Sequence, residues 1–201
     1  EYSHLYMAVE GKLAAVICVE DPLREEAADA VRELKEAGIT KVVMMTGDSE
    51  RTAAAIAKRV GVDEYYSEVL PEDKASFVEK EKELGHKVIM IGDGINDSLA
   101  LSSASVGIAI SDGAAIAREI ADVTISADNL HEIVTLKRLS TALMKRIHNN
   151  YRTIIGINGG LIALGVTGII MPTTSALLHN MSTLTISLRS MRNLLPKEEE
   201  A

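Results

Sequence analysis

The sequence predicts an α/β fold built on a doubly wound parallel sheet, followed by a pair of long helices. Three observations carry this. Short apolar runs alternate with helical patterns through the first 125 residues. One run, Val88-Ile89-Met90-Ile91, feeds into Gly92-Asp93-Gly94-Ile95-Asn96-Asp97-Ser98 and reads as a buried parallel strand ending in a sharp turn. Downstream, Thr153 to Leu188 contains no Asp, Glu, Lys or Arg.

The elements follow in order. Leu5 to Val9 and Leu13 to Val19 flank Glu10-Gly11-Lys12, the pattern of a β-hairpin with a glycine turn. Asp21-Pro22 predicts a helix start, with Asp21 as cap and Pro22 at the first helical position. Ala27, Ala28, Val31, Leu34 and Ala37 keep helical spacing, and Gly38 closes the helix. Val42 to Met45 is the next strand and ends at Thr46-Gly47-Asp48. A helix is predicted from Ser49 to Val60, stopped by Gly61, then a short strand within Tyr65 to Val69. Pro71-Glu72-Asp73-Lys74 opens a helix that ends near Gly85. After the central strand come a helix over Ser98 to Ser102, a strand over Val106 to Ile110, a short helix over Gly113 to Ile120 and a strand over Val123 to Ile125.

The pattern changes at Asp128. His131 to His148 reads as one basic-leaning helix, so residues 128–152 form a connection. Residues 153–195 predict two membrane-spanning helices, and 196–201 a tail. Pro172-Thr173-Thr174 would supply the turn. Lys145, Arg146 and Arg152 on one side, with Arg189, Arg192 and Lys197 on the other, would put both ends in the cytoplasm. Gly156, Gly159, Gly160, Gly165 and Gly168 predict close helix packing. A pair of buried helices in an all-α lobe is the competing reading.

Composition agrees with such a division. Mean hydropathy is +0.12 although a quarter of the residues are charged, which predicts a charged part and a separate apolar part. The net charge of -8 excludes a general nucleic-acid surface. Cys18 has no partner for an internal disulfide, and its apolar surroundings predict a buried structural thiol. The chain opens inside an expected strand without an initiator Met or signal peptide, so a truncated product is the expectation.

Asp93, Asn96 and Asp97 crowd the carboxyl end of the central strand, the edge where ligands bind in open α/β sheets. Two carboxylates and an amide suit magnesium holding a phosphoryl group. Alone, the stretch reads equally as a turn whose Asn96 or Asp97 caps a helix. Thr46-Gly47-Asp48 ends another strand, and Lys74 begins a helix between the two. A hydroxyl, a backbone N–H, a fixed cation and paired carboxylates are what phosphoryl transfer to a carboxylate requires.

The series Asp21-Pro22, Thr46-Gly47-Asp48, Pro71-Glu72-Asp73-Lys74 and Gly92-Asp93-Gly94-Ile95-Asn96-Asp97 resembles the phosphorylation domain of P-type ATPases, which has the haloacid-dehalogenase fold. The downstream helices, ending Ser190-Met191-Arg192-Asn193-Leu194-Leu195, resemble the heavy-metal-transporting branch. The resemblance implies a partial phosphorylation domain over 1–127. It also implies magnesium at Asp93 and Asp97, phosphoryl contacts from Thr46, Gly47, Lys74 and Asn96, and a supporting role for Asp48. It further implies a multi-pass protein of the plasma membrane with its α/β domain in the cytoplasm. Its partners would be the lipid bilayer and a transition-metal ion. Its transported divalent metal would meet His179, Asn180, Ser182 and Thr183 in the second helix and Asn158 in the first. Hydrogen bonding between helices is the alternative use of those side chains. His179-Asn180-Met181-Ser182-Thr183 is similar to the His-Glu-Gly-Ser/Thr pattern of the cobalt- and iron-type group, with Asn180 in place of the acid.

The family's nucleophile is an aspartate in an Asp-Lys-Thr-Gly-Thr motif, which is not among the 201 residues. The expectation is therefore a C-terminal part of a pump, inactive alone. The missing N-terminal portion would be its partner and would bring the nucleotide-binding part through which ATP acts. Two other readings are a membrane-tethered haloacid-dehalogenase-type phosphatase and a non-catalytic remnant that binds a full-length pump.

Overall fold

The computed structural model describes residues 3–19, 23–93, 96–110, 119–125 and 129–195. The chain divides into two compact units, Glu1–Val134 and Thr135–Ala201.

The first unit opens with strands β1 (Ser3–Val9) and β2 (Lys12–Val19), an antiparallel hairpin with a register shift at Met7/Ala8. Glu10 and Gly11 take positive φ of 51° and 77°, the hand that matches the twist of a tight hairpin. The hairpin pairs with no other described strand. Leu5 and Tyr6, neighbours on opposite faces, are 63% and 67% exposed. Cys18 is exposed as well, which corrects the expected buried thiol: burial needs a second layer, and none of the described elements covers this ribbon.

Helix α1 (Ala27–Glu36) starts later than Asp21-Pro22 predicts, with Glu26 as its cap residue. Asp21 and Pro22 themselves lie outside the described residues. Strand β3 (Val43–Met45) pairs in parallel with β4 (Glu64–Tyr66) across helix α2 (Glu50–Val60). Gly61 ends α2 at φ 80°, as expected of a left-handed cap. Lys35 donates to Asp63 Oδ1 at 2.7 Å and the Val42 N–H to Asp63 Oδ2 at 2.7 Å, joining α1 to the entry of β3. The Lys35 ammonium first, and then the Val42 N–H, hold the Asp63 carboxyl below the usual carboxylate range. In the relevant window the unfolded chain binds more protons than the folded one, so this stabilisation is present at neutral pH. It is lost as pH falls from about 4 through the lower folded value. Asp63→Asn is expected to be less stable than the parent at neutral pH and to lose less on acidification, read from denaturant midpoints at the two pH values.

Helix α3 (Pro71–Glu83) precedes strand β5 (Ile89–Gly92), helix α4 (Ser98–Ser103) and strand β6 (Val106–Ile110); β7 (Val123–Ile125) completes a parallel sheet ordered β5-β6-β7. Of the helix expected over Gly113 to Ile120, residues 113–118 lie outside the described set, and Glu119 and Ile120 are helical. The core sits between α3, α4 and this sheet: Ala75, Val78 and Ala100 pack with Val88, Met90 and Ala104, and Leu101 is fully buried. A Cβ at Gly107 would stand 2.6 Å from the Leu101 carbonyl oxygen, so α4 rests directly on β6. Parallel sheets are present, as the α/β prediction requires, but the described strands form two of them. β3 and β5 each keep one edge without a strand neighbour. For that reason β5 is only half-buried, with Ile89 41% exposed, where a fully covered strand was expected.

In the second half, helix α5 (His131–Val166) is continuous over 36 residues, with no break at the expected boundary near residue 153. Helix α6 (Pro172–Ser190) starts at Pro172, which takes the first helical position; the turn lies before it, with Gly168 at φ 73°. Among the described residues no helix is long and apolar enough to cross a membrane, which corrects the expected pair of spans. The reason is length and polarity: the turn takes residues 167–171 out of a charge-free stretch of 36. It leaves α5 only residues 153–166 free of charge, about 21 Å of helix against the roughly 30 Å of a bilayer core. In α6, ten of nineteen residues are Ser, Thr, Asn or His. The glycines also differ from expectation: a Cβ at Gly156, Gly159, Gly160 or Gly165 would meet no heavy atom within 4 Å, so they mediate no close helix contact here.

Candidate functional site

Helix α3 is set by its start. Leu70 is the cap residue, Pro71 follows, and the Asp73 carboxylate accepts from the Leu70 N–H at 3.2 Å. Lys74 therefore sits in the first turn, where the helix dipole opposes a cation. A partner holds it there: Lys74 Nζ donates to Asp97 Oδ1 at 2.7 Å, and the two side chains are only 15% and 13% exposed. Asp97 occupies the cap position of α4, and its carbonyl accepts from the Leu101 N–H at 2.8 Å. Its carboxylate does not cap α4, since it is committed to Lys74.

The turn at the end of β5 makes room for this. A Cβ at Gly92 would lie 2.5 Å from Asp97 Oδ2 and 2.8 Å from Asp97 Cβ. Only glycine lets the carboxylate fold back onto the strand end. The sequence predicts close backbone approach at this glycine; the group that approaches is the chain's own Asp97. Asp93, at the strand end, and Asn96 are exposed to solvent, and Gly94 and Ile95 between them lie outside the described residues.

The second element is the turn after β3. Thr46 Oγ1 donates to Asp48 Oδ2 at 2.7 Å and accepts from the Asp48 N–H at 3.1 Å, closing a small ring around Gly47. Its backbone is tied to the segment after β4: the Thr46 N–H donates to the Tyr66 carbonyl, Val69 N–H to the Thr46 carbonyl at 3.0 Å, and Glu68 N–H to the Asp48 carbonyl at 2.9 Å. That segment is fixed by Glu50, which accepts from Ser67 Oγ at 2.5 Å and from the Tyr65 hydroxyl at 2.7 Å. These bonds, Ser67 first, hold the Glu50 carboxyl below its usual range. Val69 is followed at once by Leu70 and α3, so the backbone bond to Thr46 ties the start of Lys74's helix to the Thr46 turn. Among the described residues no hydrogen bond or ion pair joins Thr46 or Asp48 directly to Lys74 or Asp97. Sequence reasoning missed Glu50, Tyr65 and Ser67, which carry no phosphate motif and act only by holding this loop.

The donors fit magnesium. The ion takes hard oxygen ligands and is commonly held by one or two carboxylates with water and substrate phosphate completing the shell. Asp93 is exposed and Asp97 keeps Oδ2 beyond its bond to Lys74. No described group of three His, Cys, Asp or Glu side chains forms a closed metal cage.

The residues expected to meet a transported metal fall in the second unit. His179 Nδ1 and Asn158 Oδ1 are 2.9 Å apart, joining α6 to α5. Ser182 Oγ and Thr183 Oγ1 donate to the His179 carbonyl at 2.7 and 3.1 Å, so both hydroxyl protons are spent on their own helix. Asn180 is exposed. The structure brings His179 and Asn158 together and turns Ser182 and Thr183 to their own backbone.

A family profile described as haloacid dehalogenase-like hydrolase matches residues 3–105. The chain is 37% identical over 189 residues to a zinc-exporting P-type ATPase of Mycobacterium marinum, covering 94% of this chain and 26% of that protein. It is 44% identical over 176 residues to copper-transporting ATPase 2 of Rhizobium meliloti, covering 88% and 21%. The fold is similar to a crystal structure of a zinc-transporting PIB-type ATPase, with a TM-score of 0.84 and 31% identity over 97% of this chain and 32% of that one. The chain spans about a quarter of the length of these curated relatives. It belongs to the haloacid dehalogenase-like hydrolases and is similar over nearly its whole length to heavy-metal-exporting P-type ATPases.

Proposed function

We propose that this chain handles the phosphoryl group within an ATP-driven transition-metal exporter of the plasma membrane, its first unit on the cytoplasmic side. The observation that carries the reading is the part-buried Lys74–Asp97 pair at the carboxyl end of β5, in a chain similar to metal exporters along 94% of its length. The aspartate that receives the phosphoryl group and the part that binds ATP lie outside these 201 residues in this reading.

Each residue then has a task. The Lys74 ammonium holds negative charge beside the strand end, where its partner Asp97 keeps it in place against the helix dipole. The Gly47 N–H hydrogen-bonds a phosphoryl oxygen, the Asn96 amide adds a donor, and the Thr46 hydroxyl joins them by turning its proton from Asp48 to the phosphoryl group. Asp48 holds the Thr46 hydroxyl proton until the phosphoryl group arrives. Asp93 and Asp97 are the residues that would hold magnesium, which when bound neutralises charge on the phosphoryl oxygens. Because the cation is fixed by Asp97 before the phosphoryl group arrives, little reorganisation beyond the Thr46 proton is spent at the moment of transfer.

His179 and Asn158 are the metal-facing residues of this reading, with Asn180, Ser182 and Thr183 beside them. An imidazole with amide and hydroxyl oxygens makes a borderline donor set suited to a divalent first-row ion. In the complete transporter, His179→Ala is expected to cut metal-stimulated ATP hydrolysis about tenfold to a hundredfold across a zinc, copper, manganese and cobalt series. Phosphorylation from inorganic phosphate should persist. Unchanged stimulation by every metal would remove His179 from the metal's route.

A further inference from the structure

We infer that the second unit carries an anion site for a phosphate-bearing ligand, at the end of the α5–α6 pair where α6 terminates. From Ile133 to Leu195 the chain has seven cations, Lys137, Arg138, Lys145, Arg146, Arg152, Arg189 and Arg192, and no Asp or Glu, although the whole chain has a net charge of -8. Four of these, Lys145, Arg146, Arg189 and Arg192, line a single cavity of about 350 Å³ together with Asn149 and Asn150.

The four are not equivalent. Arg146 is consumed by structure. Its guanidinium donates to the carbonyl of Ser190 at 3.0 Å, the last residue of α6, and to those of Arg192 and Asn193 (the latter at 2.9 Å) in the segment that follows. Asn150 Nδ2 adds a bond to Ser190 Oγ at 2.7 Å. These contacts build the wall of the cavity and fix its shape. Lys145, Arg189 and Arg192 then face it with no described carboxylate partner within the unit. The end of α6 offers them only about half a negative charge, and Arg146 already meets it. Three like charges around so small a space repel one another, and an anion removes that repulsion.

The ligand class follows from the donors. Guanidinium forks and an ammonium match phosphate oxygens, with the Asn149 amide available as a neutral donor. The volume lies at the lower end of small-ligand sites and holds a phosphate with a few attached atoms. Two sources present this chemistry: free phosphate and the headgroup of an acidic phospholipid.

The test uses the whole chain. Inorganic phosphate is titrated calorimetrically, and flotation is measured with vesicles of phosphatidylcholine with and without phosphatidylglycerol. Binding of at least one probe is expected, falling with added salt. Stronger binding to phosphatidylglycerol vesicles than to phosphate assigns a headgroup, and the reverse assigns free phosphate. The double variant Lys145→Gln/Arg189→Gln should weaken binding about tenfold or more. Lys137→Gln/Arg138→Gln removes the same charge from outside the cavity and should change it less than about threefold. Circular dichroism and thermal midpoints check folding, and Arg189→Lys, which keeps the charge, should retain most of the binding. Failure of both probes to bind overturns the proposal. So does equal loss in the two double variants, which would reduce the site to a diffuse positive field.

Discussion

Lys74→Met is expected to destabilise the chain by about 2–4 kcal/mol, because it strands the Asp97 carboxylate in a largely buried position without its cation. The carboxylate cannot swing away cheaply. Its atoms sit against Gly92 on one side, and its backbone carbonyl is bonded to the Leu101 N–H of α4. The loss should appear as a lower denaturant midpoint with an unchanged slope. The double variant Lys74→Met/Asp97→Leu should recover part of it, since no charge is then left alone. In the complete transporter the double variant should still form no phosphoenzyme from ATP. That separates the two tasks of Lys74: stability returns when both charges go, while phosphoryl handling does not. A single variant as stable as the parent would contradict the reading of the pair as a part-buried, mutually dependent unit.

Much of the first unit was legible because its punctuation is chemical. Gly61 with its positive φ, Pro71 at the first helical position and the Glu10-Gly11 turn each force one local geometry, and the elements they bound fall where the sequence places them. The turn after Met45 and the run into Gly92 were legible for the same reason. What was not legible depends on neighbours. Cys18 and Ile89 sit in apolar runs that read as buried, yet burial is decided by whether another layer covers them, and none of the described elements does. Asp21-Pro22 resembles a helix start in isolation, while α1 begins at Ala27.

The second unit misleads in a different way. A charge-free stretch of 36 residues from Thr153 to Leu188 is long enough for two crossings only if its turn falls at the middle and its helices are apolar throughout. The turn before Pro172 falls near the middle but leaves only 14 and 17 charge-free residues on its two sides (153–166 and 172–188), and the Ser, Thr, Asn and His residues of α6 break the second condition. The same hydroxyls explain why Ser182 and Thr183 read as ligands from sequence: spacing cannot distinguish a side chain aimed at a metal from one bonded to the carbonyl a turn earlier.

The largest expected effect on function belongs to Asp93. It ends β5 at the solvent-facing edge, next to the glycine that accommodates Asp97, and is exposed where Asp97 is enclosed. Asp93→Asn keeps the size of the side chain and removes only its charge. Asp93 also makes an interaction within the chain, so the thermal midpoint is read alongside the activity. Magnesium affinity should fall, because a neutral amide is a much weaker ligand for a hard dication than a carboxylate. A site that works by holding charge should lose at least about a hundredfold in the rate it supports. The decisive measurement is phosphoenzyme formation from radiolabelled ATP in the complete transporter carrying Asp93→Asn, with folding verified by its thermal midpoint. Labelling at background with an intact fold is the predicted result, and labelling at the parent's level would contradict the assignment of this strand end to the phosphoryl group.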